Sequence, residues 1–151
     1  MPLTAKRIAG IDYGTVRIGI AVADTEMGIA SPFANYTRRS IDLDAAYFRK
    51  LAVDEQIALF VVGLPVHLHG GESQKSREAR DFGAWLANTT GVPVEFFDER
   101  FTTTEADELL GAAKLTKKQR QARRDQLAAQ IMLTAYLESG RRGDDAPQPI
   151  D

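Results

Sequence analysis

The chain of 151 residues has 44% hydrophobic and 26% charged residues, which are ordinary values for one globular domain and exclude a disordered chain. The absence of cysteine excludes disulfide frameworks, thiolate metal sites and a cysteine nucleophile. The formal net charge of −2 gives no global attraction to nucleic acid, so any such binding depends on local basic clusters.

The segment Arg7–Asp24 predicts a β-hairpin, because two apolar runs, Ile8–Ile11 and Ile18–Ala23, flank a tight corner of polar and small residues. Side chains alternate along a strand, so Asp12 ends the first strand on the same face as Gly10. Small residues on this face would let a helix or a phosphate backbone approach the sheet close to the carboxylate.

The remaining chain alternates strands and helices, and Pro32 indicates an edge or bulged strand. We predict, in order, a strand over Gly28–Thr37, a helix from Ile41 to near Glu55, a buried strand over Ile57–Leu64, a helix over Glu72–Thr90, a strand over Val94–Phe97, a helix beginning at Glu105 and an apolar helix over Asp125–Leu137. In the first helix Asp42 is a reasonable N-terminal cap. The apolar residues Ile41, Leu43, Ala46, Tyr47 and Leu51 recur at spacings of three or four, which indicates the apolar face of the helix. A meander followed by strand-helix-strand crossovers implies a mixed sheet with helices on both faces.

One domain is expected to comprise residues 1–138, and residues 139–151 lack core-forming side chains and are expected to be a disordered tail. No apolar run approaches the about 20 residues that span a bilayer, and the N-terminus has no signal-peptide core. We therefore expect a cytoplasmic protein without membrane association.

Acidic residues lie at three positions where the fold itself does not require a charged side chain. Asp12 ends a strand of small residues, Asp98 and Glu99 follow the last strand, and Asp125 begins the last apolar helix. Helical spacing places three further residues on the same face as Asp125: Ala129, Met132 and Tyr136. The carboxyl ends of parallel strands form the crevice where α/β proteins bind ligands, so we expect the acids to converge there.

Converging carboxylates repel each other unless a cation lies between them. Oxygen ligands without cysteine favour Mg²⁺ or Mn²⁺, and such ions indicate phosphodiester or phosphoryl chemistry. Each acid also has a simpler interpretation, as a turn residue, a solvated corner or a helix cap, so spacing alone leaves the catalytic interpretation open.

Six basic residues precede the last helix without an intervening acid: Lys114, Lys117, Lys118, Arg120, Arg123 and Arg124. They form either a solvated face or a clamp on a polyanionic backbone, and their position beside the predicted metal site suits the clamp. No aromatic residue is interleaved with them, which favours contacts with the backbone over contacts with bases.

Four segments, in order, resemble the motifs of the YqgF family, also called RuvX or Holliday-junction-resolvase-like proteins: GIDYGTVRIGIAVAD, VVGLPVHLHGG, DERFTTTEA and RRDQLAAQIMLTAYL. The resemblance extends from about Arg7 to Leu137. It implies an α/β fold of the ribonuclease H-like type, in which a five-stranded mixed sheet with an antiparallel second strand is flanked by helices. It also implies a nuclease that matures the 5′ end of pre-16S ribosomal RNA, with Holliday-junction resolution as the alternative.

The resemblance implies metal binding by Asp12, by an acid of the segment Asp98-Glu99-Arg100 and by Asp125. In such a fold the last strand lies two positions from the first, roughly 9 to 10 Å away. Because a glutamate reaches further, we favour Glu99 as the ligand and expect Asp98 to orient either Glu99 or Arg100. Strand alternation leaves this choice open.

The loop after the buried strand departs from the family pattern, which usually has polar residues of the form N-x-D where this chain has His67 and His69. With no third ligand evident, a surface-loop role is favoured for this histidine pair over a metal site. The wider ribonuclease H-like group places an acid at the end of that strand, where this chain has Leu64. Near the hairpin, Thr15 and Arg17 are expected to contact phosphate.

Two other classes of function remain open. An ATP-binding phosphotransferase is suggested by the D-x-G-T pattern, but such proteins enclose the nucleotide between two domains and this chain has room for one. A non-catalytic RNA-binding or ribosome-associated factor is the other. The expected partners are structured RNA, branched DNA or ribosomal precursor particles, and the protein is expected to be a monomer or a homodimer.

Overall fold

A computed structural model of the chain describes residues 6–65, 73–98 and 127–139. The strands are β1 (Arg7–Asp12), β2 (Arg17–Asp24), β3 (Ile29–Thr37), β4 (Ile57–Leu64) and β5 (Val94–Asp98). The helices are α1 (Ile41–Asp54), α2 (Gln74–Thr90) and α3 (residues 127–139). The predicted order of elements is confirmed wherever it falls within these ranges.

The five strands form one mixed sheet in the order β3-β2-β1-β4-β5. β2 is antiparallel to both of its neighbours, whereas β1, β4 and β5 are parallel. This arrangement confirms the predicted α/β fold with an antiparallel second strand. β3 is an edge strand, as Pro32 indicated, and its pairing with β2 shifts register between Ile20 and Ala21, where Ala21 pairs with Pro32.

The sheet separates two apolar clusters. The cluster that includes residues of α1 and α2 contains Ala9, Ile11, Phe48, Phe60, Val62, Phe82 and Leu86. The cluster on the other face, which includes residues of α3, contains Ile8, Ala21, Val61, Ala129, Met132 and Leu133. Successive residues of β1 alternate between the clusters, as the period-2 pattern predicts. Full burial of a side chain such as Phe48 contributes about 1.5–3 kcal/mol.

The N-terminus and the buried face of α1 differ from the prediction. Ser40, not Asp42, caps the helix, because its hydroxyl accepts a hydrogen bond of 3.1 Å from the backbone N–H of Leu43. Asp42 instead lies in the first turn, where a negative charge interacts favourably with the helix dipole. Of the predicted apolar face, Ile41, Leu43 and Ala46 are exposed and Tyr47 is half-buried. Asp44 is only 2% exposed, so the first turn buries a carboxylate where apolar side chains were expected. Leu51 is buried as predicted.

Part of the sequence-based prediction lies outside the described residues. It comprises the histidine pair at 67 and 69, the helix beginning at Glu105, the basic residues from Lys114 to Arg124 and the tail from residue 140. In the part of the chain that the structure describes, no helix is both long enough and apolar enough to cross a membrane.

Candidate functional site

Asp12 stands at the end of β1, where the chain turns into β2. It is the last residue of the antiparallel ladder with β2 and pairs with Gly19. A Cβ on Gly14 would collide with the carbonyl oxygen of Arg17, so the turn requires glycine at this position. The Asp12 side chain is half-buried, so its carboxylate lies at the C-terminal end of β1 and is accessible to solvent.

Strand alternation places Asp12 on the face of the sheet that α3 covers. Gly10, two residues earlier on the same face, allows the helix to approach very closely. A Cβ on Gly10 would lie 3.0 Å from the Cβ of Leu133 and 3.3 Å from the carbonyl oxygen of Ala129. The predicted close approach of a helix beside the acid is therefore confirmed.

Hydrogen bonds attach α3 to both edges of the sheet. The Gln130 side chain donates to the carbonyl oxygen of Ala30 in β3 at 3.1 Å. The Tyr136 hydroxyl donates to the carboxylate of Glu95 in β5 at 3.1 Å. Burial, together with the Glu95 carboxylate, raises the pKa of Tyr136 to about 12, so the hydroxyl remains a donor at neutral pH. α3 thus crosses the sheet from β3 to β5, over β1.

An open cleft of about 520 Å³ lies beside the β1–β2 turn. Its lining includes Asp12, Tyr13, Thr15, Arg17, Lys75 and Glu78. Thr15 and Arg17, the expected phosphate contacts, both line this cleft. The cleft combines two carboxylates with two cations, which suits a phosphate that is bound together with a positive ion.

Lys75 and Glu78 lie in the first turns of α2 and were missed by the sequence analysis. The available signal was topological: α2 follows β4, which is parallel to β1, so the start of α2 lies at the same edge of the sheet as Asp12.

The side chains of β5 alternate between α2 and α3. A Cβ on Gly83 of α2 would lie 2.6 Å from the ring of Phe96, so Phe96 lies against α2. Phe97 packs edge-on against Tyr136 of α3, with ring centroids 5.7 Å apart. Asp98 follows Phe97 and therefore shares the α2 face, opposite to the face of the acid at the end of β1. Strand alternation therefore places the side chains of Asp98 and Asp12 on opposite faces of the sheet.

Most of the other predicted site residues lie outside the described ranges: Glu99, Arg100, Lys114, Lys117, Lys118, Arg120, Arg123, Arg124 and Asp125. Within residues 6–65, 73–98 and 127–139, no three side chains of His, Cys, Asp or Glu are grouped closely enough to hold a metal ion. Of the three favoured ligands, the described residues include Asp12 alone.

A buried carboxylate that the sequence analysis missed lies behind the turn. Asp44 accepts hydrogen bonds from the Tyr36 hydroxyl at 2.6 Å and from the backbone N–H of Arg39 at 2.9 Å. It also pairs with the Arg38 guanidinium at 3.5 Å. Burial raises the pKa of Asp44, but these donors outweigh burial and lower it below its ordinary value of 3.8. Asp44 is therefore ionised at neutral pH.

Comparison with known proteins identifies the family. A sequence model of RuvX, described as Holliday junction resolvase, matches residues 6–139. The chain belongs to the RuvX family. A protein of Rhodopirellula baltica named "Putative pre-16S rRNA nuclease" is 49% identical to this RuvX chain over 139 residues, which cover 91% of the chain and 80% of the relative. A protein of Koribacter versatilis with the same name is 38% identical over 144 residues, which cover 95% and 93%.

Solved structures of resolvases share the fold of this RuvX chain. RuvC of T. thermophilus, in complex with a Holliday junction substrate, aligns with a TM-score of 0.58 and 18% identity over 95% of this chain and 99% of that one. The fowlpox virus resolvase, in complex with Holliday junction DNA, aligns with a TM-score of 0.51 and 12% identity over 88% and 97%. At such identities the likeness establishes the ribonuclease H-like fold of the resolvases and nothing further.

Proposed function

We propose that this RuvX protein is a metal-dependent nuclease that hydrolyses phosphodiester bonds in structured RNA, and that it matures the 5′ end of pre-16S ribosomal RNA. The family and the names of its relatives support a nuclease. The observation that carries the proposal is the position of Asp12, which ends β1 and lines an open cleft. Strand alternation places it on the face of the sheet that α3 covers.

We propose that Asp12, Glu99 and Asp125 together hold one or two Mg²⁺ or Mn²⁺ ions. Alternation along β5 supports Glu99, because a residue that continues the strand after Asp98 returns to the face of Asp12. The packing of α3 supports Asp125. Ala129 and Met132, which helical spacing places on the face of Asp125, are both fully buried in the cluster against the sheet.

The donor chemistry fits such an ion. All three proposed ligands are carboxylates, the chain contains no cysteine, and hard oxygen donors are what Mg²⁺ and Mn²⁺ prefer. The three carboxylates would hold the cation, and the chemistry supplied there would be activation of water and stabilisation of the charge that develops on the phosphate oxygens. The cleft beside Asp12 measures about 520 Å³, which is large enough to hold a phosphate group.

The chain's own residues then bind and orient the substrate. Arg17 and Lys75 supply positive charge at the walls of the cleft, and the Thr15 hydroxyl supplies a neutral hydrogen-bond donor. The basic residues from Lys114 to Arg124 clamp the nucleic acid backbone by its phosphates. Such contacts hold the scissile phosphate beside the Asp12 carboxylate without reading the base sequence.

Replacement of Asp12 by asparagine tests the proposal, with Asp24→Asn as the matched control. Asp24 also ends a strand of the hairpin, but its carboxylate accepts a local hydrogen bond from the N–H of Glu26 at 2.8 Å. The assay measures Mg²⁺-dependent cleavage of an RNA that spans the 5′ end of 16S ribosomal RNA, and of a four-way DNA junction. Removal of a residue that only orients a metal ligand lowers activity by at most about 100-fold. We expect Asp12→Asn to lower the rate of cleavage by more than this factor, and Asp24→Asn to cleave at the wild-type rate.

The alternative functions are outcomes of the same assay. Preferential cutting of the junction, by a protein that is dimeric in solution, would favour a resolvase, because two strands must be cut symmetrically. Salt-dependent RNA binding without cleavage by the wild-type protein would favour a ribosome-associated factor. Undiminished cleavage by a folded Asp12→Asn protein would exclude the proposed site.

A further inference from the structure

Arg38 contacts the β1–β2 turn in two independent ways. It directly follows β3, and its backbone N–H donates to the carbonyl oxygen of Val16 at 2.9 Å. Its guanidinium Nη1 donates to the hydroxyl of Tyr13 at 2.9 Å. The guanidinium carbon also lies 5.3 Å from the centroid of the Tyr13 ring, a cation–π distance. One residue therefore binds the turn at both its beginning and its end.

Asp44 holds the Arg38 guanidinium in place. The Asp44 side chain is almost completely buried, and its second oxygen, Oδ2, pairs with Nε of Arg38 at 3.5 Å. Its other oxygen, Oδ1, is fixed by the Tyr36 hydroxyl and by the N–H of Arg39. A buried carboxylate with three donors is expensive to move, so it anchors the guanidinium in one position.

The anchored guanidinium acts on the residue next to Asp12. Tyr13 packs against the cluster on the α1 and α2 face, whereas strand alternation places the Asp12 side chain on the opposite face of the sheet. A hydrogen bond on Tyr13, which also lines the cleft beside Asp12, therefore fixes the backbone at the end of β1.

We propose that Arg38, anchored by Asp44, is a positioning residue that holds the Asp12–Val16 turn and thereby the Asp12 carboxylate. The proposal rests on the proposed function in one respect, the role of Asp12 as a metal ligand. Catalytic groups need to be held within about 0.5 Å of the productive geometry, and the end of a strand that enters a turn provides less constraint than the strand itself.

Tyr13→Phe is the most selective test of this role. It removes the hydroxyl that Arg38 binds and keeps the ring, which packs on Phe82 with centroids 5.0 Å apart. Arg49→Met is the matched control. It also removes an arginine hydrogen bond, from Nε to the carbonyl oxygen of Thr89 at 3.0 Å, but at the other end of α2 from the cleft.

Two readouts separate positioning from a general loss of stability. The first is hydrogen exchange of the Arg38 amide, which reports directly on its bond to Val16. The loss of one hydrogen bond to a charged group should accelerate this exchange about tenfold in Tyr13→Phe and leave it unchanged in Arg49→Met. The second is the cleavage of the RNA substrate, where we expect kcat to fall in Tyr13→Phe with KM unchanged, and neither to change in Arg49→Met.

A further pair of variants acts on the arginine itself. Arg38→Met should lower kcat more than Tyr13→Phe, and Arg38→Lys, which keeps the charge without the planar fork, should restore part of it. If Tyr13→Phe has the wild-type rate of Arg38 amide exchange and the wild-type kcat, the proposal is wrong, whether or not Arg38→Met folds. If the wild-type protein does not cut RNA or DNA, the proposed function fails, and the exchange measurement alone decides whether Arg38 holds the turn.

Discussion

Gly10 of β1 and Leu133 of α3 lie against each other so closely that a Cβ on Gly10 would stand 3.0 Å from the Cβ of Leu133. The same Cβ would lie 3.3 Å from the carbonyl oxygen of Ala129, which belongs to the backbone of α3. A helix backbone cannot rotate away from the contact as a flexible side chain can. The contact lies two residues before Asp12 and on the same face. It therefore sets how closely α3 approaches the proposed site.

We predict that Gly10→Ala lowers the free energy of unfolding by about 1–3 kcal/mol, because α3 has to move away from the sheet. Gly83→Ala is the matched control, since its added Cβ meets the ring of Phe96, a surface side chain that can rotate. Urea unfolding measures both. Cleavage should fall further in Gly10→Ala than in Gly83→Ala at equal fractions folded. Wild-type stability in Gly10→Ala would contradict the close packing.

The two acids that follow Phe97 should behave differently. Asp98 shares the face of Phe96, and strand alternation, if continued by one residue, would bring Glu99 to the face of Asp12. On the proposal that Glu99 is the metal ligand, we predict that Glu99→Gln abolishes Mg²⁺-dependent cleavage. Asp98→Asn should lower the rate of cleavage only about 10-fold, as expected for a residue that orients a metal ligand. Mn²⁺ affinity, measured by electron paramagnetic resonance, provides a second readout. A loss of Mn²⁺ binding in Asp98→Asn, with Glu99→Gln unaffected, would reverse the assignment.

The sequence predicted the sheet well because period-2 alternation directly encodes which face a strand residue occupies. Gly10 and Asp12 were placed on one face, and the contacts of α3 agree for Gly10. β4 was similarly clear, since a continuous apolar run fits a strand covered on both faces. These features are local, so they can be derived without knowledge of the tertiary structure.

The buried face of α1 could not be derived in the same way. The pattern favoured Leu43, but the helix buries Asp44, because Tyr36 and Arg38 at the end of β3 provide donors for its carboxylate. Burial of a charge depends on partners from another element, which periodicity does not contain. The first turns of α2, which bring Lys75 to the cleft, were missed for the same reason: their place depends on how the helix packs on the sheet.

The buried carboxylate of Asp44 predicts a specific dependence of stability on pH. Its pKa in the folded protein lies below 3.8, so the unfolded chain binds the proton more readily than the folded protein does. The stabilisation is therefore complete above about pH 5 and is lost as the pH falls through 3.8 towards the folded pKa. At pH 7 we predict that Asp44→Asn costs about 3 kcal/mol, because the Arg38 charge loses its buried partner.

Urea unfolding at pH 7, 5 and 3 checks this prediction. The difference in stability between the wild type and Asp44→Asn should shrink at pH 3. Asp42→Asn, which removes an exposed carboxylate from the first turn of the same helix, should cost no more than about 1 kcal/mol at pH 7. A difference between the wild type and Asp44→Asn that stays constant from pH 7 to pH 3 would show that the Asp44 carboxylate does not contribute through its charge.

The basic residues that precede α3 predict how binding depends on salt. If Lys117 contacts a phosphate of the nucleic acid backbone, Lys117→Ala should weaken binding equally for RNAs of different sequence and reduce the slope of log K against log salt by about 1. Lys50→Ala is the control, because Lys50 is an exposed lysine on α1 that pairs with Asp54 four residues later. Filter binding of a noncleavable RNA, with Mg²⁺ held constant, gives both slopes. An unchanged slope in Lys117→Ala would leave this lysine as a solvated surface residue, and a loss of affinity for only one RNA sequence would indicate base contacts instead.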